Sequence, residues 1–358
     1  MPSLPRPLWT WLAPAAAWAT LSISGFGGAA TGLVAVALVG AVLAAVHHAE
    51  VVAHRIGEPF GTLLLAVAVT VIEVALIVSL MISGGEAETA LARDTVFAAV
   101  MIILNGLLGL CLLVGAVRHR EQTFGQAGVS ASLATIAALA ILTLVLPNYT
   151  TSAPGAAYSN TQLAFVGLVS LVLYGVFVLV QTVRHRDYFL PAGPGAGDEE
   201  AHAPPPSNGA ALASLLLLLA SLGVVVLLAK ALAPTMKSAV HALGAPEATV
   251  GVMIAALVLL PESLAAVRAA RADRLQTSLN LGLGSALASI GLTIPTVAVV
   301  SLAAGWPLTL GLDAKGTVLL LLTLIVATLS LGAGRTTVLQ GVVHLVIFAV
   351  YLFTTVVP

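Results

Sequence analysis

The chain has 358 residues, 59% of them hydrophobic and only 8% charged, with 14 Lys and Arg against 15 Asp and Glu. A soluble domain is about 45–50% apolar and about 25% charged, so this composition excludes a water-soluble globule. The balanced charge and 5% aromatic content exclude a nucleic-acid binder, and the single Cys111 excludes an intramolecular disulfide or a cysteine metal cluster.

Taken in chain order, apolar runs bounded by charges, Gly and Pro predict helices at 8–24, 31–52, 60–83, 95–117, 127–147, 162–183, 210–232, 249–270, 277–302, 314–331 and 337–356. Runs of about 20 residues cross a hydrocarbon core of about 30 Å as helices, which makes the fold an all-α polytopic membrane protein of about eleven transmembrane helices. The first run, behind Met1 and Arg6, has the outline of a signal peptide. With ten more spans following, it is expected to be retained. Eleven spans put the termini on opposite sides, so the basic residues can be sorted by loop. Arg6, Arg55, Arg118, Arg120, Arg184, Arg186, Arg268, Arg271, Arg274 and Arg335 fall on the N-terminal side, and Arg93, Lys230, Lys237 and Lys315 on the other. By the positive-inside rule the N-terminus is cytoplasmic and the C-terminus outside.

The one long polar connection, 184–209, holds Asp198, Glu199, Glu200 and the run Pro204, Pro205, Pro206, the composition of a flexible cytoplasmic linker. It divides the chain into a leading helix (1–30), a first five-helix repeat (31–183) and a second (210–358). An odd number of spans per repeat inverts the second relative to the first, the construction of many secondary transporters, whose sites lie near the midplane. The acidic triplet has the composition to gather cations, although a charge run is ordinarily just solvated.

Nearly all charges lie in loops or within about two turns of a helix end, where the membrane penalty falls. Glu73 and Glu262 do not. Each lies thirteen residues into its span, counted from Phe60 and Thr249, or about 20 Å at 1.5 Å per residue, one entering from each side. A carboxylate at mid-bilayer costs at least about 2.5–3.5 kcal/mol, and intramembrane ionisable residues are functional by default. The alternative is that each Glu is protonated and hydrogen-bonded between helices. No Lys or Arg matches their depth, and His344, the nearest basic candidate, reads as an interhelical hydrogen-bonding residue. Pro261, directly before Glu262, removes a backbone donor and opens local helix geometry. Asn105 and Ser285, each deep in the span after a carboxylate helix, are candidate oxygen donors. Small and hydroxyl residues there are otherwise packing faces.

Two carboxylates with amide, hydroxyl and backbone oxygens suit a hard cation such as Ca²⁺. Like charges close together in low dielectric need either protons or a dication, which is the logic of cation/proton exchange. No phosphate-binding loop is present, so an ion gradient supplies the energy and no cofactor is expected. A passive channel or membrane-embedded enzyme is the reading from another class, but no nucleophile and base constellation supports an enzyme. At the cytoplasmic end of the second span, His47, Glu50, His54 and Glu58 form a candidate vestibule or pH-sensing cluster, with an ordinary interfacial polar face as the alternative. It lacks the HExxH order of a metalloprotease.

The strings GEPFGTLLLAVAVTVIEVALIVSL (57–80) and LVLLPESLAAVRAARADRLQTSLNLGLGSALASIGLTIP (257–295) resemble the bacterial ChaA-type calcium/proton antiporters, of the cation/proton exchanger branch of the calcium/cation antiporter superfamily. The resemblance implies a bacterial inner-membrane protein of one leading helix plus two inverted five-helix repeats. It also implies alternating access around two glutamates, which carry over to Glu73 and Glu262 as Ca²⁺ and proton ligands. The wider family motif is Gly-Asn-x-x-Glu. Here Val69 and Thr70 precede Glu73, and Val258 and Leu259 precede Glu262. Thr70 retains a hydroxyl or carbonyl as a ligand, whereas the Leu259 side chain cannot coordinate. The ChaA-type branch is associated with monovalent as well as calcium exchange, so Na⁺(K⁺)/H⁺ antiport through the same glutamates is the alternative.

Overall fold

The computed structural model describes residues 8–22, 29–57, 60–84, 89–190 and 205–357. Glu58 and the acidic triplet of the linker lie outside them. The described residues form eleven helical rods in the predicted order. The leading rod is α1 (Trp9–Leu21) and the first set of five begins with α2 (Ala29–Ile56) and α3 (Phe60–Gly84). Its third rod is α4 (Leu91–Met101) continued through a π-helical stretch into α5 (Leu108–His119), and it closes with α6 (Gln126–Ala140) and α7 (Asn160–Leu179). The second set is α8 (Asn208–Ala242), α9 (Ala248–Arg271), α10 (Leu275–Ala288) continued into α11 (Ile294–Ala304), α12 (Ala314–Leu331) and α13 (Val338–Val356).

Nine helices among the described residues are long and apolar enough to cross a membrane. The two predicted spans outside that group are α1 and α3. The described helix α1 has 13 residues, below the about 17 that a crossing needs. In α3 the apolar stretch is Val67–Ile82.

The chain divides into two compact units. One comprises residues 1–84 and 204–250, and so gathers α1, α2, α3 and α8. Inside it, Trp18 Nε1 donates to Ala220 O at 3.1 Å, joining α1 to α8. Buried His48 of α2 reaches both neighbours, with Nε2 3.0 Å from Thr10 O and Nδ1 3.3 Å from Ser214 Oγ.

The other unit holds α4 to α7 and α9 to α13, and an exchange of partners between the two sets is visible within it. Helix α13 packs on α5 while α7 packs on α11, so each fifth rod lies against the third rod of the other set. Both fifth rods open on the same device, a hydroxyl N-cap and a Gln three residues on, at Ser159/Gln162 and Thr337/Gln340. These capping boxes satisfy two otherwise orphaned backbone donors reciprocally. The third rods share a second device. Each loosens to π-helix, at Ile102–Leu107 and Ser289–Thr293, and each places a glycine there under an aromatic ring. A Cβ on Gly106 would sit 3.1 Å from the Phe348 ring of α13, and one on Gly291 would sit 2.7 Å from Tyr174 of α7. A methyl at Gly291 would force Tyr174 to shift, and one at Gly106 would press the Phe348 ring by a few tenths of an ångström.

Short straps tie both ends of this unit. Strand β1 (Gln122–Thr123) pairs antiparallel with β2 (Arg335–Thr336), joining the loop before α6 to the loop after α12. Beyond the other end of α6, Ala157 bridges to Thr309 and Asn148 Nδ2 donates to Leu312 O at 2.6 Å. Helices α6 and α12 therefore run antiparallel with both ends anchored.

Candidate functional site

Glu73 is buried in α3, 2% exposed, and Thr70 one turn earlier is also buried. Residues three apart share a helix face, so the Thr70 hydroxyl and the Glu73 carboxylate lie on one side of α3. The flanking Ile72, Leu76 and Ile77 are almost fully buried. The apolar run that makes this segment a helix thus carries its carboxylate out of water, where an ionised group is costly unless it is compensated.

Glu262 is half-buried in α9, directly after Pro261. Proline has no N–H to give the carbonyl of Leu257 one turn back, so α9 lacks one rung of its ladder in the turn before the carboxylate. Two contacts fix the height of Glu262 within its unit. Near the start of α9, a Cβ on Gly251 would meet the Asp94 carbonyl carbon at 2.9 Å. Further along, Ala266 and Ala270 pack in one core cluster with Leu107 and Cys111. Helix α9 therefore runs parallel to the α4–α5 rod. Glu262 lies eleven residues past Gly251, and Asn105 eleven past Asp94, so the carboxylate and the amide stand at one level, about 16 Å from that contact.

Asn105 is wholly buried in the π-helical stretch, and its side chain is engaged. Nδ2 donates to Thr323 Oγ1 of α12 at 2.8 Å. Oδ1 lies 3.2 Å from His344 Nδ1 of α13. An amide oxygen only accepts, so His344 carries its proton on Nδ1. His344 and Thr323 are both 0% exposed, and Thr323 passes its own hydrogen to Leu319 O at 2.7 Å. His344 is thus the interhelical hydrogen-bonding residue expected. Thr323, which nothing in the sequence singled out, completes a polar triad from three rods. The Asn105 oxygen keeps a second lone pair. Ser285, the other candidate donor, is half-buried in α10, one turn before the second π-helical stretch.

At the end of α2, His47 stands 5.9 Å from the Trp9 ring and 5.4 Å from the His48 ring, while Glu50 and His54 are exposed. Among the described residues no three His, Cys, Asp or Glu side chains group closely enough to hold a metal ion. The histidine that ties helices together here is His48, next in the chain to the predicted His47.

Residues 26–183 and 213–357 match the sodium/calcium exchanger protein family. The chain belongs to that family. It is accordingly a membrane transporter and not an enzyme. Among relatives, the putative ionic transporter y4hA of Sinorhizobium fredii is 54% identical over 325 residues, covering 90% of this chain and 87% of the relative. The sodium-potassium/proton antiporter ChaA of Escherichia coli is 36% identical over 323 residues, with the same coverage of 90% and 87%. Two solved structures share the exchanger fold at low identity. Native YfkE matches with a TM-score of 0.72 at 16% identity, over 98% of this chain and 100% of its own. The H⁺/Ca²⁺ exchanger CAX matches at 0.71 and 16%, over 97% and 89%.

Proposed function

We propose that this exchanger-family protein is a cation/proton antiporter that exports cytoplasmic Ca²⁺ against proton entry by alternating access, with Glu73 and Glu262 as the groups that exchange cation for protons. The observation that carries the reading is the pair of carboxylates in the second rod of each five-helix set, each thirteen residues into its predicted span. Ionised, the two glutamates match the charge of a dication. Protonated, they are neutral and tolerate the membrane interior. Either state moves through the cycle without uncompensated buried charge, whereas a half-loaded state does not, which couples the two fluxes. Thr70, Asn105 and Ser285 are the accessory oxygen ligands in this scheme, and His47, Glu50, His54 and Glu58 a cytoplasmic vestibule.

The orientation that goes with this reading has the N-terminus in the cytoplasm and the C-terminus outside a bacterial inner membrane, supported by ten of fourteen basic residues falling on one side. The five-helix sets are then 31–183 and 210–358, separated by the linker 184–209.

Na⁺(K⁺)/H⁺ exchange through the same glutamates is a second reading. It is favoured by the 36% identical relative being a sodium-potassium/proton antiporter, and by Leu259 standing where a coordinating side chain would enlarge the oxygen set. Ca²⁺ requires six to eight oxygens, so a thinner set shifts preference toward monovalent ions. The test is proton movement in everted vesicles on adding Ca²⁺, Na⁺ or K⁺ separately, for the native chain and for Glu73→Gln and Glu262→Gln. Each single variant is expected to lose exchange while still inserting into the membrane. Exchange at native rate by the double variant refutes the mechanism.

A further inference from the structure

Among the described residues, the larger unit carries its excess of positive charge at one end. Arg118 and Arg120 close α5, Arg268 and Arg271 close α9, Arg274 opens α10 and Arg335 sits in β2. Arg184 and Arg186 follow α7, and all eight are exposed. The contacts that gather them are specific. The β1–β2 pairing brings in the α12–α13 loop, and His119 Nε2 lies 3.2 Å from Arg271 O. Gln122 Nε2 donates to Asp273 Oδ1 at 2.8 Å, and Asn280 Nδ2 donates to Phe189 O at 2.6 Å, which pins the segment after α7 to α10. Three acids among the described residues share this end. Glu121 is held by Arg335 at 3.5 Å, Asp273 by Gln122, and Asp187 is exposed. Among the described residues the rim thus has eight arginines against three carboxylates. Among the described residues at the opposite end of the same unit, Arg93 and Lys315 are matched by Asp94 and Asp313.

Against this rim lies a groove of about 550 Å³ lined by Leu179, Val183, Arg184 and His185. The His185 ring stacks on Tyr188 with centroids 4.8 Å apart, which fixes the basic edge. From the groove an apolar stripe descends α7 through Val183, Leu179, Val176 and Val172, each more than half exposed. Steps of three and four residues keep these side chains on one face, and eleven residues of helix extend it about 16 Å, the reach of a phospholipid tail. Arg184 and Arg186 carry no ion pair among the described residues.

We propose that this groove binds an anionic phospholipid of the surrounding leaflet, its phosphate held by Arg184, His185 and Arg186 and one acyl chain laid along the α7 stripe. A cluster of arginines at a membrane surface attracts anionic headgroups, and a guanidinium matches a phosphate bidentately. The apolar stripe selects a lipid over a soluble phosphate.

The test is native mass spectrometry of the full chain released from detergent with phosphatidylglycerol or phosphatidylcholine present. Phosphatidylglycerol should be retained at least tenfold better. Arg184→Gln/Arg186→Gln should weaken its retention about fivefold for each charge removed, equivalent to about 1 kcal/mol per basic residue at an anionic surface. Lys230→Gln, an exposed charge in the smaller unit, should leave it unchanged. Equal retention of both lipids, or an unaltered arginine double variant, overturns the assignment. Displacement of phosphatidylglycerol by an equal concentration of inorganic phosphate also overturns it, since the site would then read phosphate alone. If lipid binds only after Asp198→Asn/Glu199→Gln/Glu200→Gln, the linker acids occupy the rim and the lipid assignment fails.

Discussion

Asn105 and His344 offer a buried polar contact whose energy can be isolated by a double-mutant cycle. Asn105→Leu removes the acceptor of His344 Nδ1–H and the donor to Thr323 Oγ1. Thr323 keeps its bond to Leu319 O, so the damage concentrates on the imidazole, which at 0% exposure has no access to water and keeps only its backbone contact with Leu104. An orphaned buried donor costs about 1–3 kcal/mol, whereas polar contacts between membrane helices average about 0.6 and reach about 1.7 kcal/mol. The expected cost is therefore about 1–2 kcal/mol. His344→Leu strands the Asn105 carbonyl oxygen at similar cost. The double variant strands neither, since apolar replacement of both partners is nearly neutral. With about 2–4 °C per kcal/mol for a body of about 200 residues, each single variant should lower Tm by about 2–8 °C in detergent. The double variant should fall no further than the worse single. Tryptophan fluorescence on heating reads all four proteins. A double variant whose Tm loss equals the sum of the two singles refutes the contact as an energetic unit.

Gly341→Ala tests the α5–α13 contact: the added methyl would stand 2.6 Å from Leu113 N, a backbone atom that cannot swing aside. Overpacking of that kind costs about 1–3 kcal/mol, read as a fall in Tm, and an unchanged Tm would contradict the close approach. Tyr158, in the loop before α7, donates its hydroxyl to Leu142 O at 2.5 Å, and burial pushes its phenol from 10 up to about 12. The fold prefers the neutral phenol, so the residue's contribution is intact below pH 10 and is lost as pH rises from 10 toward 12, where the unfolded chain ionises first. Tyr158→Phe should flatten that alkaline decline in a stability titration, and an unchanged slope would count against it.

The helices and the two carboxylates were legible because each depends on a local property of the chain. A run of apolar residues spans hydrocarbon whatever its neighbours are, and a Glu thirteen residues inside such a run carries its energetic penalty on its face. The parts that were not legible are those decided by residues remote in sequence. Asn105 and His344 are 239 positions apart, and Asn105 and Thr323 are 218 apart, so each could be marked as polar and deep but not as one another's partner. The π-helical stretches at 102–107 and 289–293 leave no sequence period of their own, and the aromatic rings that face Gly106 and Gly291 come from α13 and α7, far off in the chain. The grouping of helices shows the same limit. Chain order places α8 at the head of the second set, yet it packs with α1, α2 and α3, where Ser214 and the Ala220 carbonyl meet His48 and Trp18. A hydrogen bond from Trp18 to a backbone carbonyl 202 residues away has no signature in either run. What the sequence could have flagged is the polar atom that needed a partner: a His and a Trp indole in runs otherwise apolar must each find an acceptor in a rod other than their own. His48, Trp18 and His344 all do so. In a membrane helix a lone polar side chain thus predicts that an interhelical contact exists, and its identity must come from the fold.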